Sequence, residues 1–265
     1  MTESARRKVQ RAETLMVELG DAISVYLSRR PYTYFDDIDP PTGEPVISIK
    51  LTEPVPRAIG EICGDAISNL RAAVDHAATA LAALNGQGPA NIYFPIADGK
   101  VEFGAKQVQK RLNVFTPEVR AFIEEWEPFR LGKGHSWWAL HRLENTNKHR
   151  NYIDVRAINV GNFVTVDGPR GIESFGAHKT WNIEQQRMIL IHRGTIATSR
   201  IIEIDIVLDF VFNDPDEAFA NHSVRRVFSD AVKLTLSFLE ACDDRFFLAG
   251  QARDQPFIVS ADCPI

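Results

Sequence analysis

Apolar residues recur at intervals of three and four through the start of the chain: Val9, Ala12, Leu15, Met16, Leu19, Ala22, Ile23 and Tyr26. That spacing predicts an amphipathic helix over about 4–28. Its other face, with Arg6, Arg7, Arg11, Glu13 and Glu18, reads as solvated. The period then falls to two. In "YTYFDDIDPPTGEPVISIKL", Ile47, Ile49 and Leu51 alternate with Ser48 and Lys50 around a Pro-Pro-Thr-Gly turn, which predicts a hairpin over about 32–52. A helical period returns with Ile59, Ile62, Cys63, Ala66, Ile67, Leu70, Val74, Ala77, Leu81 and Leu84, and Asn85-Gly86 stops it, so a second long helix spans about 57–85.

Four turn formers, Gly86, Gly88, Pro89 and Pro95, surround "IYFPIAD", a loop whose aromatic side chains should anchor it to the body. Shorter helices follow within about 101–149. Strands are expected over about 151–213, with Gly161-Asn162 as a candidate hairpin turn. The plainest strand is "RIIEIDIVLDFVFND", where Ile202, Ile204, Ile206, Leu208, Phe210 and Phe212 alternate with Glu203, Asp205 and Asp209; "RMILIHRG" is its expected partner. A last helix, about 219–247, presents Val224, Val227, Phe228, Ala231, Leu234, Phe238 and Cys242 on one side. The order predicts a single α+β domain over 1–265, an antiparallel β-sheet packed with a helical bundle, with the N- and C-terminal helices closing together.

The net charge of −5 argues against a protein that coats nucleic acid, a task that needs a field attractive to phosphate. Cys63, Cys242 and Cys263 are odd in number and lack metal-ligand spacing, so they read as reduced thiols of a cytoplasmic protein. No stretch has the length of a membrane span, and the first residues lack the apolar run of a signal peptide. The expected partners therefore exclude membrane, and neither a metal nor another cofactor is expected. "NGQGPA" and "LGKGHS" do not complete a nucleotide-binding loop, and no serine elbow, His-Glu-x-x-His or Cys-x-x-Cys is present. Glu124, Glu125 and Glu127 form an acidic run of the kind a chain with 35 acidic residues produces by chance.

Two segments combine polar side chains with an apolar background. In "GDAISNLRAAVDHA", Asp65, Asn69 and His76 fall within about 40° of each other on a helix, while Arg71 and Asp75 sit four apart, in reach of an ion pair. In "WWALHRLENTNKHRN", Asn145 and His149 share a side with Trp138, whereas Asn147 and Arg150 share one with Leu140 and Leu143. A buried asparagine needs partners. Asn69, Asp75, Asn145, Asn147, Lys148, His149 and Arg150 are thus one candidate polar or binding cluster, with Arg71 and His76 at its chemical centre. Trp137 and Trp138 read as packing residues and not as a platform for stacked bases.

The Gly64–His76 helix, the Phe94–Ile96 loop and the Leu140–Arg150 segment together resemble a widespread family of bacterial and phage-borne proteins whose function is unassigned. Arg71 and His76, separated by four residues, also resemble the Arg-x(4–6)-His signature of HEPN domains, helical proteins of defence and toxin systems. That resemblance implies a metal-independent ribonuclease, or an inactive relative, acting in phage defence. RNA would be its substrate, and its site would be assembled across a homodimer. His76 would move protons near neutral pH and Arg71 would stabilise the charge on phosphorus. The spacing works against convergence within one chain, because five residues turn a helix by roughly 140°. The alternative is a non-enzymatic protein that binds a small ligand, an anion or a partner, in which the same residues lock the long alanine-rich helix against the 135–149 helix.

Overall fold

The computed structural model describes residues 2–150, 153–169, 171–176, 187–196, 200–213, 219 and 221–248; the side chains of 146–150, 159, 162, 175 and 205 lie outside that description. The fold is α+β. In chain order it comprises α1 (Glu3–Ser28), β1 (Tyr32–Ile38), β2 (Pro45–Leu51), α2 (Arg57–Ala83), α3 (Lys100–Phe103), α4 (Lys106–Leu112), α5 (Pro117–Glu125), α6 (His135–Arg150), β3 (Val155–Gly168), β4 (Gly171–Gly176), β5 (Arg187–His192), β6 (Arg200–Phe212) and α7 (Val224–Cys242). None of the described helices is long and apolar enough to cross a membrane.

The chain groups into two compact units, one of residues 1–14, 65–145 and 228–265, the other of residues 15–64 and 146–227. The first unit is helical. The periodic face of α2, from Ala66 and Ile67 through Leu70, Val74, Ala77 and Leu81, is buried, and Gly86 at φ +68° ends the helix in the left-handed region that glycine enters freely. The aromatic centre of this unit joins Phe94, Trp137 and Phe238, whose rings stand 5.2 Å apart in edge-on pairs. The start of α1 meets the chain just past α7 here, as expected of the first and last helices. The Thr2 hydroxyl and an Arg6 Nη both donate to Asp243 Oδ2, at 2.6 and 3.0 Å. Arg6, expected on the solvated face of α1, is therefore half-buried in an ion pair.

The second unit holds two antiparallel three-stranded sheets, β1-β2-β5 and β4-β3-β6. Ile47, Ile49, Val164, Val166, Met188 and Leu190 form one core from both of them. Two expectations are corrected. β6 pairs with β3, a strand of nearly its own length, while the six-residue β5 pairs with β2. Gly161 and Asn162 lie inside β3, and the reversal falls between Gly168 and Gly171. Two bulges interrupt the β3–β6 register. The β6 partners step from Leu208 at Asn159 to Val207 at Gly161, so Val160 is an extra, bulged residue. A second bulge leaves Ile202 unpaired between Ile201 and Glu203, which reverses the alternation: Ile201 packs on the core and Ile202 is 53% exposed.

Candidate functional site

The chain that meets Arg71 and Asp75 of α2 is the 86–99 loop, at Phe94. Arg71 is 6% exposed. One of its Nη atoms donates to Asp75 Oδ1 at 2.5 Å, and the other donates to the Phe94 carbonyl at 3.4 Å. The same Asp75 oxygen accepts from the Phe94 N–H at 2.7 Å. The pair thereby answers both backbone groups of a residue with no helix or strand to supply partners, while the Phe94 ring enters the aromatic centre. The Arg71 Nε is buried without a hydrogen-bond partner among the described residues.

The polar stripe on α2 meets α1 instead. His76 is exposed, with Nδ1 2.6 Å from the Ser4 hydroxyl. Asn69 accepts from Lys8 Nζ at 3.4 Å and donates to the Asp65 carbonyl at 2.9 Å. Ser4 and Lys8 stand one helical turn apart on α1, so two polar stripes meet along the two helices. Neither residue was singled out from the sequence. The available signal was a pair of polar positions four apart, on one side of α1.

Asn145, the one expected member of the α6 segment with a described side chain, is half-buried and bonded to His141 one turn earlier, at 3.2 Å. The side chains of Asn147, Lys148, His149 and Arg150 lie outside the described residues. Beyond α2 itself, the described side-chain bonds of Asn69, Arg71, Asp75 and His76 run to α1 and to the Phe94 loop. Trp137 and Trp138 are buried, as expected, with their indole N–H groups bonded to Thr235 and Asp98.

Arg71 and His76 leave different sides of α2, one sealed and the other open to solvent. Among the described residues, no group of three or more His, Cys, Asp or Glu side chains is placed to hold a metal. Burial pushes the Cys63 thiol up to about 12. Burial and the neighbouring Asp243 charge raise that of Cys242 as well, so neither thiol has the character of a nucleophile. No protein-family model, characterised protein or solved structure matches the chain.

Proposed function

We propose that the protein acts by binding, as a non-enzymatic interaction protein, and that Arg71 and Asp75 form a strut that fixes the Phe94 loop. The burial of Arg71 carries this reading. A phosphate clamp must reach a phosphodiester, and this guanidinium spends both Nη atoms on internal acceptors under the loop. Bringing RNA to it would require breaking both bonds and lifting a fully buried phenylalanine out of the aromatic centre.

The rival is the HEPN-like, metal-independent ribonuclease of phage defence, active as a homodimer. Its support is the exposed imidazole of His76, which could take part in a site completed by a second protomer. An RNA-degradation assay with chelator present separates the two. Wild type is expected to leave RNA intact. Degradation that disappears in a folded His76→Ala variant would establish the enzyme and end the binding proposal.

A further inference from the structure

In the second unit, β1 and β6 are each the last strand of their sheet. They line a common groove of about 590 Å³, with Arg30, Tyr32 and Tyr34 on one wall and Ile201, Ile202 and Glu203 on the other. Three of its lining side chains, Tyr32, Ile201 and Ile204, pack against the core shared by the two sheets and give it an apolar part. Tyr34 is 57% exposed although its register partner on β2, Ile49, is fully buried. Its ring stands on the core-facing side of the sheet, where the groove leaves it uncovered.

The backbone of this wall can be assigned. Thr52 N–H donates to the Pro31 carbonyl, and Asp39 N–H to the Glu44 carbonyl, just beyond the two ends of the β1–β2 ladder. In an antiparallel ladder alternate residues bond to the same neighbour, so 33, 35 and 37 turn toward β2, while Tyr32, Tyr34 and Asp36 turn their N–H and C=O groups to the open edge. The Tyr32 N–H is taken by the Arg30 carbonyl at 2.7 Å. Among the described residues the Tyr34 carbonyl meets only the hydroxyl of Thr33, at 3.5 Å. What the edge offers is the Tyr32 carbonyl and both backbone groups of Tyr34, at the two-residue repeat of about 6.8 Å that an extended chain matches.

We propose that this groove binds an extended peptide segment of a partner protein, which adds to the sheet as a strand beside β1. The inference rests on the binding reading above and names its site. Every second side chain of the peptide would point to the apolar part at Tyr32, Ile201 and Ile204, and a carboxylate would meet Arg30. Among the described residues Arg30 makes no ion pair, whereas its neighbour Arg29 is engaged by Glu53. Arg30 also sits at φ +50°, a conformation that glycine adopts at lower cost, just past the end of α1. A groove lined by one cation, Arg30, and one carboxylate, Glu203, does not suit a phosphate backbone.

The test selects random peptides displayed on phage against the full chain, then measures the enriched peptides by fluorescence anisotropy. Two variants probe the site. Tyr34→Pro removes an open-edge N–H without touching the bonds to β2. Arg30→Gly removes the charge and relaxes the backbone, so it should melt at or above the wild-type temperature even if Tyr34→Pro folds poorly. Enriched peptides should alternate apolar residues, carry an acidic residue, and bind each folded variant about tenfold or more weakly. N-methylation at alternate peptide positions should abolish binding in one phase only. Failure to enrich any peptide, or undiminished binding to Arg30→Gly, would overturn the proposal. So would a wild-type dimer lost in Tyr34→Pro, which would place a second copy in the groove. RNA cleavage by the wild type would refute the binding reading separately, in an assay independent of the peptide.

Discussion

Replacing Asp75 with alanine should expose what the buried pair is for. The substitution removes the acceptor of two bonds, from an Arg71 Nη at 2.5 Å and from the Phe94 N–H at 2.7 Å. Arg71 then keeps only the longer contact to the Phe94 carbonyl, and its positive charge stays beneath the loop. Losing one partner of a fully buried pair costs about 3–5 kcal/mol, and a charged hydrogen bond contributes about 1.5–3. The Asp75 side chain is 22% exposed, so water can enter where the carboxylate stood. About 3 kcal/mol is therefore the expected loss. Arg71→Met, which keeps the aliphatic stem and removes the charge, should cost less, because the remaining carboxylate still accepts the Phe94 N–H at a partly solvated site. The double variant should then be more stable than Asp75→Ala alone. Urea unfolding followed by tryptophan fluorescence suits the measurement, since Trp126, Trp137 and Trp138 lie in the same unit as the pair. A loss below about 0.5 kcal/mol for Asp75→Ala, or a double variant weaker than either single one, would refute the orphaned-charge reasoning.

The contact of Thr2 and Arg6 with Asp243 should make stability depend on acid pH. Burial pushes the Asp243 carboxyl up, but bonds from Thr2 and Arg6 pull it further down, and it ends below the ordinary aspartate value. Its contribution is present above the unfolded pKa, about 3.9, and is lost as pH falls through the folded one. Thr2→Ala should cost about 1 kcal/mol at neutral pH, with the gap to wild type closing in strong acid in denaturant melts; a pH-independent gap would contradict the assignment. The thiols give a second check. In a Cys263→Ser background, Cys63 and Cys242 should react with a disulfide reagent at about pH 8 only after denaturation, and rapid native labelling would contradict their burial.

Helix periodicity needs only the local chain, and the two long helices are legible almost to the residue: about 4–28 becomes Glu3–Ser28, and about 57–85 becomes Arg57–Ala83. Strand partners are less legible, because alternation says which face is buried but not which neighbour completes the ladder. The bulges at Val160 and Ile202 add to this. Each inserts one residue without a composition of its own, and the second exchanges the roles of Ile201 and Ile202. At the site, the i, i+4 spacing announces the Arg71–Asp75 pair. Nothing in residue types announces the third member, since it is the backbone of Phe94. The open edge at Tyr34 is hidden in the same way, for it depends on the phase of the β1–β2 ladder and on where the sheet ends.

Two of the polar residues on the alanine-rich helix, Arg71 and Asp75, follow from how the 86–99 loop is anchored. Its aromatic anchor, Phe94, is fully buried. A buried residue outside helix and sheet brings an N–H and a C=O that water cannot reach, and leaving both unmet would cost several kcal/mol. An apolar α2 surface would pack the ring and strand those groups. Arg71 and Asp75 supply one donor and one acceptor from adjacent turns of α2, and their mutual ion pair keeps each in position when the loop docks. The same logic separates them from His76, whose exposed ring bonds to a hydroxyl on α1 and answers no buried backbone group. Spacing that resembles a catalytic pair thus divides into a loop clamp facing inward and a surface contact facing outward. The clamp should therefore be intolerant of losing its charge balance, and His76 tolerant of substitution.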